Sequence, residues 1–219
     1  MVILWLKPAL RIHAPVGRAL RVMRETAIVR PFIPASVTMP RLPYLPQDTA
    51  EPADIVGPIR QRRGGKLFNL DRMLLYSPPL AIGWNGLFDA VRGDRMTLSS
   101  RLRELAICLV AILNRADYEL HHHAPVFFKA GGTQAQIDAL HQPDPETDPA
   151  APFDVTERAI IRLTREMTRG VQVSDATFAA LRAALQDDRK VVEAVGTIAA
   201  YNMVSRVLVA LDVTAQGEG

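Results

Sequence analysis

RLRELAICLVAILNRADYELHHHAPVFFKAGGTQAQIDAL, from Arg101 to Leu140, carries two helical patterns with almost nothing between them. Ser99 stands ahead of the first as an N-cap, and Leu102, Leu105, Ala106, Leu109, Ile112 and Leu113 recur at helical spacing up to Asn114. The second runs from about Asp117 to Ala130 and stops at Gly131 and Gly132, where glycine accepts a left-handed cap. Helices joined this tightly lie roughly antiparallel.

That hairpin decides which side chains can meet. Glu119 and His123 are four apart on the second helix, so they share a face and can exchange a proton or hold one substrate between them. A carboxylate favours the imidazolium and burial opposes it, a balance that can bring a histidine near neutral pH. If the chain reverses near Arg115, Glu104 faces about Val126, roughly 4.5 Å along the axis from His123 at a rise of ~1.5 Å per residue. Glu104 therefore reaches the same region. His121, His122 and His123 invite a metal reading, but adjacent helical positions point about 100° apart and cannot converge on one ion. His121 is expected to face solvent, and no metal and no cofactor are expected.

Outward from the hairpin the pattern stays helical. LFNLDRMLLYS reads as a short helix after the RRGG turn at Arg62–Gly65, and Pro78 and Pro79 suit the first turn of the next. In that helix Leu80, Trp84, Leu87, Phe88 and Val91 form the expected core face, ended by Gly93. Thr133 with Gln136 and Asp154 with Glu157 are capping-box patterns. Ser174 opens a helix with Phe178, Leu181 and Leu185 inward, and Asp187 or Asp188 opens a last one through Val195, Ile198, Met203, Val207 and Leu211. No strand alternation or fixed-period repeat occurs, so the class is all-α.

These residues resemble the carboxymuconolactone decarboxylase family of the alkylhydroperoxidase D-like superfamily. The resemblance rests on Arg103-Glu104-Leu105, Tyr118-Glu119, His123, Ala130-Gly131 and the short capped helix that follows. It extends upstream to SPPLAIGWNGLFDAVRG and downstream to Tyr201, Asn202 and Arg206, spanning about Met39 to Val213. It implies an alkylhydroperoxidase D-like helical bundle with a central antiparallel helix pair, Glu104 in the proton-relay set with Glu119 and His123, and assembly as a trimer or hexamer. The apolar Phe127-Phe128 and Met203–Leu211 faces fit such a homo-oligomer. Tyr118, His122 and Arg206 are the candidate substrate-binding residues. The peroxidase branch of the family places a C-x-x-C pair where Ala116 and Glu119 stand here, so its two-thiol chemistry is missing. The lone Cys108 lies on an apolar face and reads as an inert buried thiol.

The resemblance thus implies a cofactor-independent decarboxylase-like enzyme, a lyase acting on a small cyclic or carboxylated metabolite. Alternatives are a peroxiredoxin-like antioxidant activity and a non-catalytic oligomeric small-molecule-binding protein.

The remaining segments bound the domain. Residues 1–38 form a basic extension: six basic residues against the single Glu25 leave +5 there and −2 on the rest of a chain whose total is +3. The body therefore has no charge pattern for nucleic acid. The extension's Arg-rich, acid-poor composition is also that of an organelle presequence. Met39, opening MPRLPYLP, reads as the domain's own start, which makes 1–38 an over-extended or disordered segment. Residues 39–66 read as a Pro-rich extended connector, 67–213 as the helical domain and 214–219 as a disordered tail. The expectation is a cytoplasmic protein without a membrane span, and one cysteine fits a reducing compartment.

Overall fold

The structure, a computed structural model, describes residues 39–218, so the expectations placed on 1–38 and on Gly219 lie outside the described residues. Among the described residues the elements are helices only: α1 (Ala53–Arg62), α2 (Asn69–Leu74), α3 (Pro78–Arg92), α4 (Ser100–Asn114), α5 (Asp117–Lys129), α6 (Gln134–Leu140), α7 (Val155–Arg169), α8 (Asp175–Leu185) and α9 (Asp188–Leu211).

α4 is the axis. Residues Glu104 to Ala111 are all buried, because α5, α7 and α9 pack around it. A helix enclosed on every side needs apolar residues all round rather than a stripe, and ELAICLVA supplies them with one exception, Glu104. The chain leaves α4 through Arg115, whose φ of 56° is left-handed, and Ala116 N–H donates to the Ala111 carbonyl at 2.9 Å. This single-residue reversal sends α5 back along α4, and Gly131 at φ 92° ends α5 as its glycine predicts.

The caps expected from the sequence form. Ser99, Thr133, Asp154 and Ser174 each accept a backbone N–H from their own first turn, and Asp187 accepts from Arg189 and Lys190. The box residue Glu157 also accepts from Arg101 Nε at 2.8 Å and from Gln136 Nε2 at 3.1 Å, so one carboxylate ties α4, α6 and α7 together.

Several expectations need correction. The connector at 39–66 is not extended throughout: Ala53–Arg62 is helical with Pro58 inside it, because Val56 and Ile59 bury against the fold and α1 packs on α3. That burial outweighs the backbone bond Pro58 cannot make. The tail is not disordered over 214–218. Tyr44 hydroxyl accepts from Thr214 N–H at 2.9 Å, and Asn69 Nδ2 donates to the carbonyls of Thr214 and Gln216. In α3 the buried stripe is Ala81, Trp84, Phe88 and Val91, leaving Leu80 and Leu87 exposed with Ile82. Phe178 and Met203 are exposed, whereas Phe127 is fully buried and so belongs to the core rather than to a docking face. α9 is long and apolar enough to cross a membrane by length and composition, contrary to the sequence expectation, yet half of its apolar window is buried among α3, α4, α5 and α7. A core helix passes the same test.

Two glycines test this packing. A Cβ on Gly132 would lie 2.3–2.5 Å from the ring of buried Phe127, so Gly132→Ala should cost about 1–3 kcal/mol in denaturant unfolding. Gly83, inside α3 with nothing within 4 Å of such a Cβ, should instead gain about 0.5–1 kcal/mol on Gly83→Ala.

Candidate active site

The hairpin register brings Glu104 of α4 to His123 of α5: Oε2 lies 2.6 Å from Nδ1, and both side chains are buried. With the carboxylate accepting, the ring carries its proton on Nδ1, which leaves Nε2 as the free nitrogen. Burial pushes the His123 pKa down, against the opposing pull of Glu104, and the nearby Arg92 guanidinium adds to the depression. His123 is thus an oriented neutral imidazole. The Tyr201 ring meets it edge-on at 4.9 Å between centroids.

Glu119 does not pair with His123, despite the four-residue spacing. Its two oxygens each lie 3.1 Å from Ser205 Oγ on α9. Burial holds its carboxyl well above the usual carboxylate range, and the Ser205 hydrogen bond only partly offsets this. Glu119 therefore stays protonated where an exposed glutamate would be charged. The helix spacing shows which face Glu119 occupies, but α9 decides where its side chain turns.

His123 and Glu119 line one cavity of about 310 Å³, with Glu104 behind His123 rather than on the wall. Phe68, Trp84, Phe88 and Tyr201 give it aromatic walls, and Arg62, Arg63 and Arg92 stand on its lining. Buried Asp71 lies 3.0 Å from Arg63 and 3.8 Å from Arg62, while Arg92 has no ion-pair partner among the described residues. Burial, and then repulsion from Arg63, pushes the Arg62 pKa down. The sequence reading missed these cations. Arg62 and Arg63 looked like part of a turn, and only the packing of α1 on α3 brings them beside Arg92. Tyr201 had been a marker of the closing helix, and Ser205 carried no signal.

Of the other candidates, Tyr118 and His122 line the cavity, whereas Arg206 does not. Arg206 is exposed and donates to the Asn202 carbonyl and Oδ1 at 2.7 and 2.9 Å, so it braces α9 instead of facing a substrate. His121 is exposed as expected. The three histidines diverge, His122 toward Glu218 and His123 toward Glu104, and no group of three or more metal-ligating side chains gathers among the described residues. Cys108 is fully buried on α4, where burial and then the Glu104 carboxylate push its thiol pKa up.

Glu119 has a consequence for stability. Its folded pKa is raised above the unfolded value of about 4.3, so its contribution is fully present below that pH and is lost as pH rises through the folded pKa. Glu119→Gln keeps the shape of the neutral acid and should flatten that fall, which urea unfolding across pH 4–9 checks; an unchanged pH profile would contradict a protonated Glu119.

Residues 78–145 match the carboxymuconolactone decarboxylase family, the segment that holds Glu104, Glu119 and His123. Solved structures share the fold. An uncharacterized peroxidase-related protein from Silicibacter sp. TM1040 superposes at a TM-score of 0.68 with 21% identity, over 84% of this chain and 97% of its own. The alkylhydroperoxidase AhpD core of an uncharacterized peroxidase-related protein from Ralstonia eutropha JMP134 gives 0.69 and 19%, over 84% and 95%. A variant of the debrominase Bmp8 in complex with 2,3,4-tribromopyrrole gives 0.65 and 17%, over 80% and 90%. No curated protein matches the chain. Over residues 78–145 the chain is thus similar to the carboxymuconolactone decarboxylase family, and the all-helical fold around that segment is shared with alkylhydroperoxidase D-like structures.

Proposed function

We propose that the chain is a cofactor-independent enzyme of the carboxymuconolactone decarboxylase kind, which moves a proton at a small cyclic or carboxylated metabolite. The family and its fold neighbours support a decarboxylase or peroxidase-related class. The observation that carries the finer reading is the 2.6 Å Glu104–His123 contact at the wall of an aromatic cavity that also holds a protonated Glu119.

Two titratable groups with pKa values pushed in opposite directions suit acid-base work. When carbon dioxide leaves, the carbon–carboxyl bond breaks and its electron pair stays on the substrate. Glu119, holding its proton by burial, donates it to that carbon, and the site resets when a solvent proton, taken up at the free Nε2 of His123, is passed back to the Glu119 carboxylate. Glu104 positions the imidazole. Arg62, Arg63 and Arg92 favour an anionic group, the aromatic walls favour a ring, and the cavity volume lies at the small end of the roughly 300–1,000 Å³ of ligand sites.

The peroxidase-related names of the fold neighbours favour a second reading, hydroperoxide turnover. It would have to work through Cys108, which is fully buried.

Self-association belongs to the same proposal, with exposed Leu80, Ile82 and Leu87 of α3 as the apolar surface to be covered. Light scattering should give a trimer or hexamer at micromolar concentration, and a strict monomer would remove this part.

An activity screen of the full chain over small lactones, cyclic carboxylates and hydroperoxides tests the enzyme. Decarboxylation should fall about 100-fold or more in His123→Ala and be unaffected in Cys108→Ser. The rate should fall on the acid side as His123 protonates and on the alkaline side as Glu119 ionises, and Glu119→Gln should alter the alkaline limb. Binding without any His123-dependent turnover would leave a binding protein, and peroxide turnover lost in Cys108→Ser would favour the second reading.

A further inference from the structure

The segment after α9 folds back onto the cavity wall. Asn69, wholly buried, donates through Nδ2 to the carbonyls of Thr214 at 2.8 Å and Gln216 at 3.0 Å. The Glu218 carboxylate then lies between α2 and α5. Its Oε1 accepts from Asn69 N–H at 2.5 Å and from the Tyr118 hydroxyl at 2.6 Å, and its Oε2 lies 2.9 Å from His122 Nε2. This last contact is off the N–H axis, yet Oε2 and Nε2 are both sealed from solvent and neither has another partner among the described residues.

Burial alone would raise the Glu218 pKa, but His122, Tyr118 and Asn69 together hold it below the usual carboxylate range. The group is therefore ionised at neutral pH and can only accept. Were Nε2 unprotonated, it and the ionised Glu218 oxygen would be two acceptors 2.9 Å apart in a place closed to water, with no donor near either. A proton on Nε2 replaces that repulsion with an attraction.

We infer that Glu218 is a positioning residue for this cavity: it holds the His122 ring between Phe68 and Tyr118 with the proton on Nε2, leaving Nδ1 as the nitrogen free for a bound molecule. The inference rests on this cavity being the working site. Two neighbouring histidines on α5 are then fixed in opposite tautomers by two different carboxylates. Glu104 leaves His123 with a free Nε2, and Glu218 leaves His122 with a free Nδ1. Glu218 thus supplies the cavity with a second oriented acceptor from a part of the chain far from the family segment.

Long-range 15N–1H NMR of the imidazole nitrogens in the full chain at about pH 8, with the His122 signals assigned through His122→Gln, tests this. In the wild type His122 should carry a proton on Nε2. In Glu218→Gln the amide oxygen remains committed to Asn69 N–H and the Tyr118 hydroxyl, so its NH2 faces Nε2 and should switch the proton to Nδ1. Glu218→Ala should give a mixture of tautomers. A wild-type ring bare at Nε2, or an unchanged tautomer in Glu218→Gln, overturns the inference, and the latter is what a tail that only packs would give. The readout needs no turnover, so it fails separately from the proton-transfer reading, which His123→Ala decides.

Discussion

A carboxylate inside the central helix is the constraint around which the molecule is arranged. Glu104 sits on α4, buried among residues that are otherwise apolar, and a carboxyl group taken out of water there is tolerable only with a well-placed hydrogen-bond partner. That partner is His123, one helix away at 2.6 Å. The single-residue reversal at Arg115 fixes the register of α5 on α4, and one helical position of slip would turn His123 off the facing side. The contact that satisfies the core also orients the imidazole, so packing and chemistry share one hydrogen bond.

The cavity beside this pair works by contrast of environments. Glu119 and His123 are both buried, and burial opposes the charged form of each, so the acid keeps its proton while the base stays free of one. A neutral acid and a neutral base side by side avoid burying two charges. Charge is supplied by other residues of the lining, Arg62, Arg63 and Arg92, with buried Asp71 holding the first two in place. Arg62 and Arg63 end α1, outside the matched family segment, so the polarity of the cavity is set partly by sequence that the family match does not cover. The fold is shared with a peroxidase-related protein and a debrominase, as expected when architecture is retained and the side chains around a site change.

Local rules read most of the helices correctly because their causes are local. Ser99, Thr133, Asp154 and Ser174 cap from within their own first turn, and Gly131 ends α5 through its own φ. Hairpin arithmetic placed Glu104 near His123 for the same reason, since only the rise per residue and the position of the turn enter. Errors arose where a distant element chose the outcome. The proline pattern of 39–66 hid α1, which forms because Val56 and Ile59 find a surface, and the polar tail at 214–218 is ordered by Asn69 and Tyr44, which precede it by well over a hundred residues.

The sequence by itself therefore determined the all-helical class, the antiparallel pair and the shared region of Glu104, Glu119 and His123, because helical period, caps and a tight turn act over a few residues. Only the tertiary structure decided that Glu119 turns to Ser205, that Arg206 faces away, that three guanidinium groups meet at the cavity and that Glu218 reaches His122. Those outcomes depend on which buried polar group finds which partner across the fold, and no spacing along the chain encodes that choice.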